Sequence, residues 1–173
     1  MVNNLIIFEM KKLLFLIISI LSLVSCSGDT ENSNTNANNQ EWKFKINGVQ
    51  HHWIGDSTDP MSWGSSIFIQ ENNSVKIELT GLETDPIIDF VFRIPNLSLG
   101  SYVLNTPDKA YLRYLNLFIS YYAENNEKII LNITESNENL IKGTFSGKLK
   151  RYNNQDQLII INITEGYFKA IRQ

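Results

Sequence analysis

Histidines, carboxylates and aromatic rings are the groups in this 173-residue sequence with chemistry to offer. His51 and His52 are its two histidines and stand side by side. On a strand, adjacent side chains point to opposite faces, so the two rings do not converge on one ion. Asp56 and Asp59 follow closely, but a site built on one histidine would still need two or three ligands from elsewhere. The reading is therefore no metal, and nothing in the chain calls for a cofactor. Carboxylates are numerous and scattered. Glu78, Asp89 and Glu135 fall at strand or strand-end positions, where a solvated charge is the ordinary role. Glycoside hydrolysis needs an acid and a base or nucleophile about 5–10 Å apart, which sequence separation does not reveal. No G-x-S-x-G elbow, glycine-rich phosphate loop or H-E-x-x-H helix occurs, so a non-catalytic protein is expected and a small hydrolase is the rival. The aromatic residues Trp53, Trp63, Tyr111, Tyr114, Tyr121 and Tyr122 exceed what a core of this size requires. Flat rings of this kind suit a sugar ring or a protein partner; the competing role is packing between strands.

The one cysteine, Cys26, has a different context. Lys11 and Lys12 form a positive segment, and residues 13–24 an apolar run of the length found in signal peptides and too short to span a bilayer. Met10 directly precedes the lysine pair, so the start is Met1 or Met10, with Met10 favoured. Leu23-Val24-Ser25-Cys26 resembles the bacterial lipobox. That resemblance implies cleavage before Cys26, diacylation of the cysteine and acylation of the new α-amine, and several acyl chains anchor stably where one does not. Residues 1–25 then form a lipoprotein signal peptide, and residues 26–40 the acylated cysteine with a disordered tether. That tether is rich in Asn, Ser and Thr, has almost nothing apolar to bury, and has a mean reach of roughly 20 Å. The exported domain is left without a disulfide, a thiol nucleophile or a thiolate metal site. Ser27 stands where enteric lipoproteins of the inner membrane carry aspartate, and Asp29 with Glu31 resembles an acidic surface-export signal. The expected location is the outer membrane, with its periplasmic or surface face left open.

What must position the remaining groups is a domain over residues 41–173. Trp42-Lys43-Phe44-Lys45-Ile46 and residues 49–54 flank Asn47-Gly48, the strongest short hairpin signal because both turn residues take positive φ. Residues 66–70 and 75–80 flank Asn72-Asn73 as a second hairpin, with Val75, Ile77 and Leu79 facing the core. Ile88, Phe90, Phe92 and Ile94 share a face, Val91 lies on the other, and Pro95 ends the strand. Residues 111–122 fit a helical stripe through Leu112, Leu115, Ile119 and Tyr122, yet also sort as a strand, which aromatic content favours. Residues 141–149 alternate cleanly, residues 152–157 turn the chain, and residues 158–164 form an apolar strand before Gly166 leads into a last one. Eight to ten short strands with frequent turns indicate an all-β fold, an antiparallel β-sandwich or alternatively a lipocalin-like barrel.

Gly143-Thr144-Phe145-Ser146-Gly147, followed by Asn162-Ile163-Thr164-Glu165-Gly166-Tyr167-Phe168, resembles the ending of small, uncharacterised Bacteroidota lipoproteins. Residues 42–53, with their Asn-Gly turn, are similar to the opening of the same group. The resemblance implies a secreted all-β lipoprotein and brings no active site, because its motifs are turn glycines and core aromatics. The net charge of −3, without a Lys/Arg cluster, speaks against nucleic acid. The expected partners are the membrane, through the acyl chains, and a glycan or protein. The function expected is that of an anchored binding or structural domain, or a glycan-binding accessory protein at the cell surface.

Overall fold

The computed structural model describes residues 39–56, 64–81 and 86–173. Its strands are β1 (Asn39–Ile46), β2 (Val49–Asp56), β3 (Gly64–Gln70), β4 (Val75–Gly81), β5 (Ile88–Ile94), β6 (Gly100–Leu104) and β7 (Ala110–Tyr114). A 3₁₀ turn, Leu115–Leu117, leads to β8 (Ile119–Tyr122), β9 (Ile129–Ser136), β10 (Leu140–Tyr152) and β11 (Leu158–Arg172).

Alternation explains most of these elements. Along β4 the buried positions are Val75, Ile77, Leu79 and Gly81, with Lys76, Glu78 and Thr80 between them. The β1–β2 turn holds Asn47 at φ 49° and Gly48 at φ 87°, both in the left-handed region that matches the twist of a two-residue hairpin. Asn47 is tied down further: its Oδ1 accepts from the Asn162 N–H at 2.8 Å.

All strands belong to one hydrogen-bonded network that folds over into two layers. One layer runs β2-β1-β11-β10-β9-β6, and the other β3-β4-β5-β7-β8. The long β10–β11 hairpin, paired from Leu140↔Ile171 to Tyr152↔Leu158, carries both corners. At one end β11 meets β3 through Ile171↔Ile67 and Arg172↔Phe68; at the other β10 meets β8 through Lys150↔Tyr122 alone. The fold is all-β and sandwich-like. The barrel alternative is not adopted as a continuous ladder, because the circuit closes only through these two short joints. All named pairings are antiparallel except β3 with β11.

Between the layers lies an aromatic core. Phe44 of β1 meets Phe90 of β5 edge-on at 5.5 Å, and Phe145 of β10 meets Phe90 at 5.3 Å and Phe92 at 4.9 Å. Trp42, Phe44, Phe90, Phe92 and Phe168 are wholly buried there. Each such ring removes a large apolar surface from water, and edge contacts of this kind add about 0.5–1.5 kcal/mol beyond burial.

Several expectations need correction. The described residues make eleven strands, more than the eight to ten indicated by the spacing of turn residues, and residues 111–122 are a hairpin rather than one strand or a helix. β1 begins at Asn39, inside the stretch read as tether: Gln40 is buried and its Oε1 accepts from the Ser66 N–H at 2.6 Å. Gly166 does not break the last strand either. β11 runs through it with a bulge, since Lys43 pairs with Tyr167 and Lys45 with Thr164, leaving Glu165 and Gly166 opposite Phe44. Residues 1–38, with Cys26 and its lipobox, lie outside the described residues.

Candidate functional site

The aromatic residues singled out by sequence do not form one surface. Trp53 is buried against the core, its ring filling the space a Cβ on Gly64 would need. Tyr121 is also buried, with Tyr114 packed edge-on to it at 6.0 Å. Burial, reinforced by Tyr121, pushes the Tyr114 hydroxyl up to about 12, so these two rings belong to the packing. Tyr111 lies half-exposed on the outer face of β7, between Arg93 at 6.0 Å and Arg113 at 5.1 Å. Trp63 lies outside the described residues. Of the five that are described, Tyr122 lines the groove between the β7–β8 hairpin and the β10–β11 turn, and the other four do not.

That groove is an open trough of about 1010 Å³ between the β7–β8 hairpin tip and the β10–β11 turn. Phe118 is its most exposed wall, at 96%, with Tyr152 at 59% and Tyr122 at 40%. Phe118 also holds φ at 55°, a left-handed conformation that is uncommon for a bulky side chain and strained. The hairpin imposes it, because the turn Leu115–Leu117 ends on Phe118 and β8 must start at the next residue.

Register places the groove's rings. Tyr122 pairs with Lys150, and Tyr152 lies two residues further along β10, so all three side chains share the outward face. Lys150 is drawn down between the rings, with its Nζ 3.0 Å from Glu124, 3.9 Å from Glu127 and 5.9 Å from the Tyr152 centroid. The hydrogen bond to Glu124 chiefly holds its ammonium above the ordinary lysine range. Arg151 faces the other way over the Tyr121 ring at 5.3 Å; it also lines the groove, and its buried Nε has no hydrogen-bond partner. In the turn below, Asn153 Oδ1 accepts from the backbone N–H groups of Gln155 and Gln157, both at 2.9 Å. Asn153 thus shapes the turn, while Asn154 and Gln155 stand exposed on the trough.

The histidines end on opposite sides of β2. His51 packs against the Phe44 ring at 5.9 Å and desolvation lowers its pKa; His52 reaches Glu41 at 3.4 Å. Asp59 lies outside the described residues, and no group of three potential metal ligands occurs among the described ones. Of the scattered carboxylates, Glu135 pairs with Lys142 at 2.7 Å and Glu78 with Lys76. Asp89 is 2% exposed and bonds Arg113 with one oxygen, leaving Oδ1 buried and unpartnered. Desolvation raises its pKa against the pull of Arg113.

Phe118 and Tyr152 went unnoticed in sequence. Both look like core residues by type, and the signal that separates them is position: each sits at the end of a run just where the chain must turn. Comparison with protein-family models, curated proteins and solved structures finds no match.

Proposed function

We propose that the protein is a lipoprotein anchored in the outer membrane by acyl chains on Cys26, and that its β-domain is a non-catalytic binding module. The observation that carries the binding role is where the groove lies. The chain enters the domain at Asn39, level with the Leu140↔Ile171 end of the long hairpin, while the groove sits at the Tyr152↔Leu158 end. Twelve residues of extended strand separate these levels, about 40 Å along β10. An anchored domain built this way presents its exposed rings away from its point of attachment. A hydrolytic role has less support, since among the described residues the groove is lined by one carboxylate, Glu124, already paired with Lys150.

Two measurements test this reading. Detergent phase partitioning with intact mass checks the anchor: wild type carries acyl groups and enters the detergent phase, while Cys26→Ala does not. Equal partitioning of the two would sink the anchor. Photo-crosslinking in native cells checks the groove, with benzoylphenylalanine placed at Tyr152 or, as control, at exposed Val49. Adducts of any chemical class should form at 152 well above those at 49; equal yields would remove the binding role.

A further inference from the structure

We propose that the groove takes an uncharged oligosaccharide, with Tyr122 and Tyr152 as the stacking platform and Asn154 and Gln155 as hydrogen-bonding partners. This rests on reading the groove as a binding site. Three features of the trough select this ligand class.

The first is its mixture of groups. A sugar ring has apolar C–H faces and a dense rim of hydroxyls that both donate and accept. Two tyrosines on one sheet face, from neighbouring strands β8 and β10, 40% and 59% exposed, offer ring surface at small cost in side-chain freedom. The exposed amides of Asn154 and Gln155 supply a donor and an acceptor each. An apolar ligand would leave these polar groups unsatisfied.

Charge is the second. Two cations line the groove: Lys150 is paired with Glu124 and, at 3.9 Å, with Glu127, while Arg151 faces away over the Tyr121 ring. An anionic polymer or acidic peptide would meet the Glu124 carboxylate in the groove before it met a free ammonium. Shape is the third. At about 1010 Å³ the trough is at the upper end of small-ligand pockets, yet it is open along its length, which suits a chain of rings lying across it.

The test uses the detergent-solubilised full chain in native gels containing hydroxyethyl cellulose, soluble starch, galactomannan or, as the charged control, polygalacturonate. At least one neutral polysaccharide should retard it, with retardation unchanged by added salt because no ion pairs form. Tyr152→Ala and Tyr122→Ala should each weaken the interaction about tenfold, as truncation of an anchoring aromatic does. Tyr152→Phe, which keeps the ring, should bind within about threefold of wild type, since only a rim hydrogen bond is lost. Thermal melts check folding, and if Tyr122→Ala fails to fold, the more exposed Tyr152→Ala carries the test alone. Retardation by none of the neutral polysaccharides, retardation by polygalacturonate only, or wild-type binding by Tyr152→Ala would each overturn the proposal. Polypeptide adducts at position 152 alongside no polysaccharide binding would remove the sugar while leaving the groove a binding site.

Discussion

Asp89 is the least solvated charge on the outer face of the second layer. Arg113 satisfies one of its oxygens, but only from a half-exposed position, with 45% of the guanidinium side chain in water. The two partners respond differently. Burial costs the carboxylate more than the ion pair returns, so its pKa rises; for Arg113 desolvation is the largest effect and opposes the charge, but the hydrogen bond to Asp89 and the attraction of Asp89, Tyr111 and Glu78 together outweigh it. A carboxyl whose folded pKa is raised favours folding most below its unfolded value, near 3.9, and loses that contribution as pH climbs through the folded value. Wild type should therefore show a stability decline across that window that Asp89→Asn lacks, read from denaturant midpoints at successive pH; parallel curves would show that Asp89 titrates normally. Removing the partner is a different experiment. Arg113→Ala leaves a buried carboxylate uncompensated and should cost about 2 kcal/mol, less than the 3–5 of a fully buried pair because Arg113 is partly solvated.

Hairpins in this chain range from turns dictated by their own residues to turns imposed by the strands around them. Asn47-Gly48 was legible because only a few residue types tolerate positive φ at both turn positions, and the observed dihedrals are of that kind. Strict alternation made β4 legible for the same reason: one pattern fits one face. Residues 111–122 were not, since Leu112, Leu115, Ile119 and Tyr122 are compatible with a helical stripe and no glycine marks the turn. A Phe takes the left-handed position there instead. The aromatic candidates fared similarly: residue type flags a ring, but only the strand register separates outward Tyr122 from inward Tyr121. The unusual turn gives its own prediction. Phe118 contributes almost no burial, so replacing it with Asn, which tolerates the left-handed region, should keep or raise stability by up to about 1 kcal/mol. Phe118→Val, β-branched, should lower it. Melting of the two variants decides; a large loss in Phe118→Asn would mean the ring supports the hairpin.

Gly166 belongs to the same scale and acts through a close approach. A Cβ there would meet the Phe145 carbonyl oxygen at 2.4 Å and its ring at 2.6 Å. The bulge that carries β11 from Lys43's partner to Lys45's brings the two backbones and a core ring together at this point. Gly166→Ala must push Phe145 off Phe90 and Phe92, and overpacking of this kind costs about 1–3 kcal/mol. Denaturant unfolding of the variant is the check, and a wild-type midpoint would show that the bulge yields without disturbing the core.

At the scale of the whole molecule, two layers share one pair of long strands. β10 and β11 each contribute to the first layer and then, at opposite ends, hand a hydrogen-bonding edge to the second. The sandwich is thus held by core packing across its middle and by short ladders at its corners. The β3 corner is the better made of the two. Beyond the two residue pairs, the Gln173 N–H donates to the Phe68 carbonyl at 3.1 Å. The side chains of residues 171–173 are at most half-buried, so their hold on β3 owes its strength to backbone bonds rather than to apolar area. Deleting residues 171–173 should cost about 2–3 kcal/mol, given roughly 1 kcal/mol net per backbone bond. The loss should also be local. β3 keeps β4 on one side, but its other edge is opened, so amides of residues 67–69 should exchange faster, while β9 and β6 at the far margin of the other layer keep their protection. Hydrogen exchange with mass spectrometry separates the alternatives. Uniform acceleration through both layers would mean that the corner is needed for the whole sandwich to stay closed; no change in β3 would mean that packing of Phe68 alone, fully enclosed in the core, holds that edge in place.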